Sequence, residues 1–157
     1  MKKYLVITAI LGSLAVIFGA FGAHALKEKL SPESLQSYET AVRYLMYHVI
    51  VLLFINIFNG FSEKTKSTLS RIFIAGMLLF SGSIFLISTG LVQAKLIWFV
   101  TPMGGLLLII AWLWMAYEFL KSKSVNQNVS FWRRDVSFFN WSFSGIQLLI
   151  YIRQNFF

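Results

Sequence analysis

The sequence predicts an all-α polytopic membrane protein: a four-transmembrane-helix bundle with an extra C-terminal interfacial segment. Three observations carry this expectation. Apolar residues make up 57% of the chain and charged residues 13%, against about 45–50% and about 25% in soluble globular chains. So few charges could not cover a water-facing surface, whereas lipid solvates apolar side chains. Four long runs contain no Lys, Arg, Asp or Glu. None of the runs alternates strictly in polarity, as strands of a membrane barrel do, so helices are what satisfies their backbone.

The first run covers residues 4–26, behind Lys2 and Lys3. It superficially resembles a signal peptide, and Gly22-Ala23-His24-Ala25 mimics a small-residue cleavage site. Its length exceeds the roughly 7–15 residues of a signal core, so it is expected to stay as a span. The second run, residues 44–61, is short for a span but extends backwards. Ser31-Pro32-Glu33 supplies a capping hydroxyl, a preset φ and an acid at the positive helix end. No breaker follows before Asn59-Gly60, which predicts one helix over residues 32–59. Glu39 and Arg43 are four apart on it in the favourable order, and Thr40, Tyr44 and His48 share a second stripe. The third and fourth spans are expected at residues 72–92 and 96–117.

Residues 1–120 thus form the transmembrane domain and residues 121–157 a tail. Residues 136–152 lack charge but are short and aromatic. They suit an interfacial segment anchored by Trp132 and Trp141, with a fifth span or disorder as alternatives.

The net charge of +8 is read as topology and contact with anionic headgroups rather than as a nucleic-acid surface. Of the 14 Lys and Arg, ten lie at the N-terminus, the 62–71 loop and the tail. Lys27, Lys29, Arg43 and Lys95 lie on the other side. The rich side is expected in the cytoplasm, with both termini there and the chain in the bacterial inner membrane. The chain has no cysteine, which removes disulfides, thiolate metal sites and Cys nucleophiles.

Small residues mark packing faces, because helices in lipid gain little from apolar burial and much from close approach. Ala15, Gly19 and Ala23 recur every four residues, with Gly12 and Gly22 nearby. Gly76, Ser83 and Gly90 recur every seven, beside Ser81 and Gly82. Thr101-Pro102-Met103-Gly104-Gly105 is expected to bend the fourth span, either for packing or as a broken-helix ligand site.

The candidate chemistry is a polar cluster of His24, Glu39, Arg43, Tyr44 and His48, both histidines being placed near one membrane face. An interhelical hydrogen-bond lock, proton or small-solute handling, and metal or haem ligation all use these residue types. No Ser-His-Asp arrangement is supported, since the one aspartate is Asp135. No catalytic residue, cofactor site or metal site is assigned.

Four ordered motifs then resemble a known family. They are Gly19-Ala20-Phe21-Gly22-Ala23-His24-Ala25-Leu26, Tyr38-Glu39-Thr40-Ala41-Val42-Arg43-Tyr44-Leu45-Met46-Tyr47-His48, Phe80-Ser81-Gly82-Ser83 and the Thr101–Gly105 pentapeptide. The chain is similar over residues 1–120 to the bacterial DUF423 (UPF0382) inner-membrane proteins. The resemblance implies four membrane helices and brings no catalytic residue with it. It also implies that residues 121–157 are an addition, since members end soon after the fourth span.

The expected function is a non-enzymatic membrane assembly or accessory protein, with the lipid bilayer as its medium and a homo-oligomer or another membrane protein as its partner. The alternatives are a small channel or carrier using a His24/His48 hairpin, or a metal- or haem-binding subunit.

Overall fold

A computed structural model describes residues 2–121. These fold into helices α1 (Lys2–Ala23), α2 (Pro32–Ile57), α3 (Glu63–Ser88), α4 (Ala94–Ile97) and α5 (Val100–Lys121). All but α4 are long and apolar enough to cross a membrane. At 1.5 Å per residue α1 and α5 each rise about 33 Å, close to the roughly 30 Å hydrocarbon core. The expectations for residues 121–157, including the interfacial segment, lie outside the described residues apart from Lys121.

The α2 start follows the local signal. Ser31 is the N-cap, its Oγ accepting from Ser34 N at 3.2 Å, and Pro32 occupies the first turn, where no donor is lost. The first turns therefore precede the uncharged run, as the sequence predicted. The α3 start was not anticipated. It begins nine residues before residue 72, with Ser62 accepting from Thr65 N at 3.1 Å. The same kind of cap signal, Ser62-Glu63, was present but masked by the charges that follow it. One of those charges, Lys66, is buried, with its ammonium 3.6 Å from Glu63.

Two expectations about small residues are corrected. Gly90 does not belong to the α3 packing face. It follows the end of α3 with a φ of +74° and open space around it. That left-handed conformation ends a helix and suits a residue without Cβ. Likewise, Pro102 breaks no span. Helix α5 starts at Val100, so Pro102 falls in its first turn, where an N–H would have no intrahelical acceptor. The preceding short α4 and the turn at Trp98 and Phe99 make the change of direction instead.

Helix α2 is the central element, flanked by α1 and α3. Leu45, Leu52, Ile55, Leu69, Phe73, Met77, Leu108 and Ala111 form the buried centre. Val16, Ile57, Leu113 and Leu120 are exposed among many other large apolar side chains, the outward apolar surface expected of a lipid-embedded bundle. Helix α5 joins α3 through backbone contact. A Cβ on Gly104 would collide with Phe80 N and lie 2.8 Å from the Leu79 carbonyl carbon, and Gly76 sits under Leu108.

Candidate functional site

The polar side chains within the helices are placed mainly where helices meet. His48 is 6% exposed on the inner face of α2. Its Nδ1 lies 2.7 Å from Tyr44 O, the carbonyl one turn back. A carbonyl can only accept, so Nδ1 carries the proton. Nε2 is then an acceptor, and Trp112 Nε1 of α5 donates to it at 3.3 Å. One neutral tautomer satisfies both ring nitrogens. The ring also packs on Phe73 of α3, centroids 5.8 Å apart.

Comparable links join the other helices. Tyr38 of α2 donates to Phe18 O of α1 at 3.0 Å. Asn56 Nδ2 donates both to Leu52 O and to Ser70 Oγ of α3, each at 2.9 Å. Ser83 of α3 and Thr101 of α5 are 2.6 Å apart. At the Lys2 end, Arg71 Nε of α3 donates to Tyr4 Oη of α1, which also bonds Ser67. Each link connects two helices and adds to the close packing that sets which of their faces meet. Among the described residues, two buried side-chain atoms lack a partner: Asn56 Oδ1 and Ser81 Oγ.

The predicted cluster of His24, Glu39, Arg43, Tyr44 and His48 is not assembled as one site: Tyr44 stacks on His48, ring centroids 6.2 Å apart, and Glu39 and Arg43 line one groove, while His24 stands apart. Gly19 faces Val42 and Gly12 faces Val49. In this antiparallel register His24 is level with Ser37, about 16 Å along α2 from His48. His24 lies beyond the end of α1 and is exposed. The expectation that both histidines lie near one membrane face fails because it measures the depth of His48 from the start of the uncharged run at residue 44. The helix begins at Pro32, so His48 lies past its middle. Arg43 donates to Thr40 Oγ1 at 3.0 Å rather than pairing with Glu39. Tyr44 is partly exposed and leans on Phe80, centroids 5.1 Å apart.

The expected packing residues divide in the same way. Gly22 lies against the Tyr38 ring and Gly104 against the α3 backbone, whereas Gly82 has open space and Gly105 only ordinary contact with Phe80. Asn56, Ser70, Tyr4 and Trp112 were not singled out from sequence. Asn56 carried a usable signal, as an amide inside an otherwise apolar run.

Among the described residues, no three His, Cys, Asp or Glu side chains gather around a metal-sized space. His48 could bind a metal through Nε2 only by giving up Trp112. The Asn56–Ser70 link gives a direct measurement of what such bonds contribute. In a double-mutant cycle of Asn56→Ala and Ser70→Ala, unfolding in mixed micelles should show a coupling of about 0.6 kcal/mol, the average for interhelical bonds in lipid. A coupling near zero would remove this pair from the set of helix fasteners.

The DUF423 family profile, described as a protein of unknown function, matches residues 18–105. A UPF0382 membrane protein of Staphylococcus saprophyticus is 38% identical over 113 residues, 72% of this chain and 92% of its own length. The UPF0382 membrane protein YwdK of Bacillus subtilis is 35% identical over 125 residues, covering 77% and 98% respectively. One from Haemophilus influenzae is 34% identical over 128 residues, covering 79% and 98%. No solved structure matches the chain. The matched segment runs from the last turns of α1 to the first turns of α5 and includes the Tyr38–Phe18, Asn56–Ser70 and Ser83–Thr101 links, together with His48 but not its partner Trp112. With four helices able to span a bilayer and relatives named as membrane proteins across nearly their full lengths, this chain is a multi-pass membrane protein belonging to the DUF423 (UPF0382) family.

Proposed function

We propose that the chain is a non-enzymatic membrane component that assembles with other membrane-embedded chains, either copies of itself or a different protein. The observation that carries this reading is His48. Its two ring nitrogens are both engaged, one within α2 and one across to α5. A histidine held this way serves helix geometry, and a proton carrier would need one nitrogen open to exchange. The other interhelical links support the same reading, since they use hydroxyl, amide and phenol groups to align helices.

The proposed setting is the bacterial inner membrane with the Lys2 end in the cytoplasm. Four spans bring Lys2, the Ser62 turn and Lys121 to one face, and that face carries most of the Lys and Arg.

Native-membrane co-purification, paired with proton-leak measurements in proteoliposomes, tests the assembly reading. Wild-type protein should recover a defined partner or oligomer, and its liposomes should leak protons no faster than empty ones. His48→Ala should reduce partner recovery and leave the leak unchanged. A wild-type leak that vanishes in a folded His48→Ala variant would establish a conducting role instead. A reporter fused after Lys121 and found outside the cytoplasm would reverse the orientation alone.

A further inference from the structure

At the end of α1 nearest the α1–α2 connection, α1 and α2 enclose an open groove of about 270 Å³. Gly19 and Gly22 form its floor, Tyr38 part of its wall, and Glu39 and Arg43 its rim. The floor is low because both positions lack a Cβ: one on Gly22 would lie 2.9 Å from the Tyr38 ring, and Tyr38 is itself held by Phe18 O. The two rim charges are not spent on each other. Arg43 uses one Nη on Thr40, and among the described residues neither group lies within ion-pair distance of an opposite charge.

Their depths differ in a definite order. In the α1–α2 register Glu39 is level with Gly22, one residue from the end of α1. Arg43 is one turn deeper, by about 6 Å. The adjoining connection carries Lys27, Glu28 and Lys29, and the uncharged run of α2 begins only at Tyr44, so the groove is read as lying at headgroup depth, with Arg43 nearer the hydrocarbon than Glu39. A cation-binding group therefore sits towards water and an anion-binding group towards the acyl chains.

We propose that this groove binds one phospholipid whose headgroup joins a phosphate to a primary amine. The phosphate sits on the deeper Arg43, the ammonium donates to Glu39, and an acyl chain lies along the α1–α2 surface. The order of charges in such a lipid, phosphate next to glycerol and amine outermost, matches the order on α2. A guanidinium takes phosphate through paired donors, and a carboxylate takes an ammonium through N–H bonds that a quaternary ammonium cannot make. The site is independent of the assembly role proposed above.

Native mass spectrometry of the full-length chain, released from detergent with equal amounts of synthetic phosphatidylethanolamine, phosphatidylcholine and phosphatidylglycerol bearing identical acyl chains, tests it. Phosphatidylethanolamine should be retained about fivefold over each of the others, the scale of one partly exposed ion pair. Glu39→Gln should abolish the preference over phosphatidylcholine and leave phosphatidylglycerol retention unchanged. Arg43→Gln should lower retention of all three, and Arg43→Lys should restore only part of it, because one ammonium lacks the paired donors. Both side chains are exposed, and helical content by circular dichroism checks that each variant is folded. Equal retention of the three lipids, preference for phosphatidylglycerol, or a preference unchanged in Glu39→Gln would overturn the proposal. So would displacement of the lipid by soluble glycerophosphoethanolamine, which would make the free headgroup, not the lipid, the ligand.

Discussion

Replacing Gly104 by Ala should cost the bundle about 2 kcal/mol and loosen α5 from α3. The added methyl would meet Phe80 N and the Leu79 carbonyl carbon, both backbone atoms that cannot rotate away. Accommodating it requires the helices to separate, which also weakens the 2.6 Å Ser83–Thr101 bond and the Gly76–Leu108 contact. Overpacking of this kind typically costs about 1–3 kcal/mol. Because the clash is with backbone, the upper end of that range, about 3 kcal/mol, applies here; the helix preference for Ala over Gly, about 1 kcal/mol, acts in the opposite direction and leaves about 2 kcal/mol. Gly82→Ala provides the matched control. It is the same substitution on α3, but nothing lies within 4 Å of the new methyl. Its expected effect is neutral or stabilising by up to about 1 kcal/mol. Unfolding in mixed micelles measures both. Equal effects at the two positions would show that α3 and α5 do not cross at Gly104.

The second large effect is expected at His48. His48→Ala removes the acceptor for Trp112 Nε1 and the ring packed on Phe73, leaving space at the junction of α2, α3 and α5. Loss of the bond contributes about 0.6 kcal/mol in lipid. The vacated volume adds more, since large-to-small changes at buried sites cost about 2–5 kcal/mol in well-packed cores. A total near 3 kcal/mol is expected, with a change in Trp112 fluorescence as its indole loses its partner. His24→Ala should change stability by less than about 0.5 kcal/mol, because His24 is exposed and outside the helices. Similar losses for both histidines would restore the His24–His48 pairing that the helix register argues against.

The two histidines show what the sequence made legible and what it did not. That His48 lies in a membrane helix was plain from the uncharged run around it. Its depth depended on where α2 starts, and the Ser31-Pro32-Glu33 signal already gave that start. The inference went astray by measuring depth from the apolar run instead of the helix cap. Trp112 as its partner had no local signal at all. Pro102 shows a related ambiguity: a proline in an apolar stretch reads either as a kink or as a first-turn residue, and the choice depends on where the helix begins.

The glycines make the same point about faces. Gly82 and Gly104 are indistinguishable as letters in small-residue motifs, yet one meets empty space and the other a neighbouring backbone.

From sequence alone came the solvent, the four spans, the α2 cap and the family. Each of these depends on composition or on neighbours a few residues apart, where hydrophobicity and capping act. Tertiary structure alone decided which polar groups meet, which glycines are crossings, and that Glu39 and Arg43 stay apart at the rim of a groove. Those outcomes depend on the rotation and axial offset of one helix against another, and a shift of one residue turns a side chain by about 100°. No short stretch of chain encodes that angle, because it is set by all the helices packing at once.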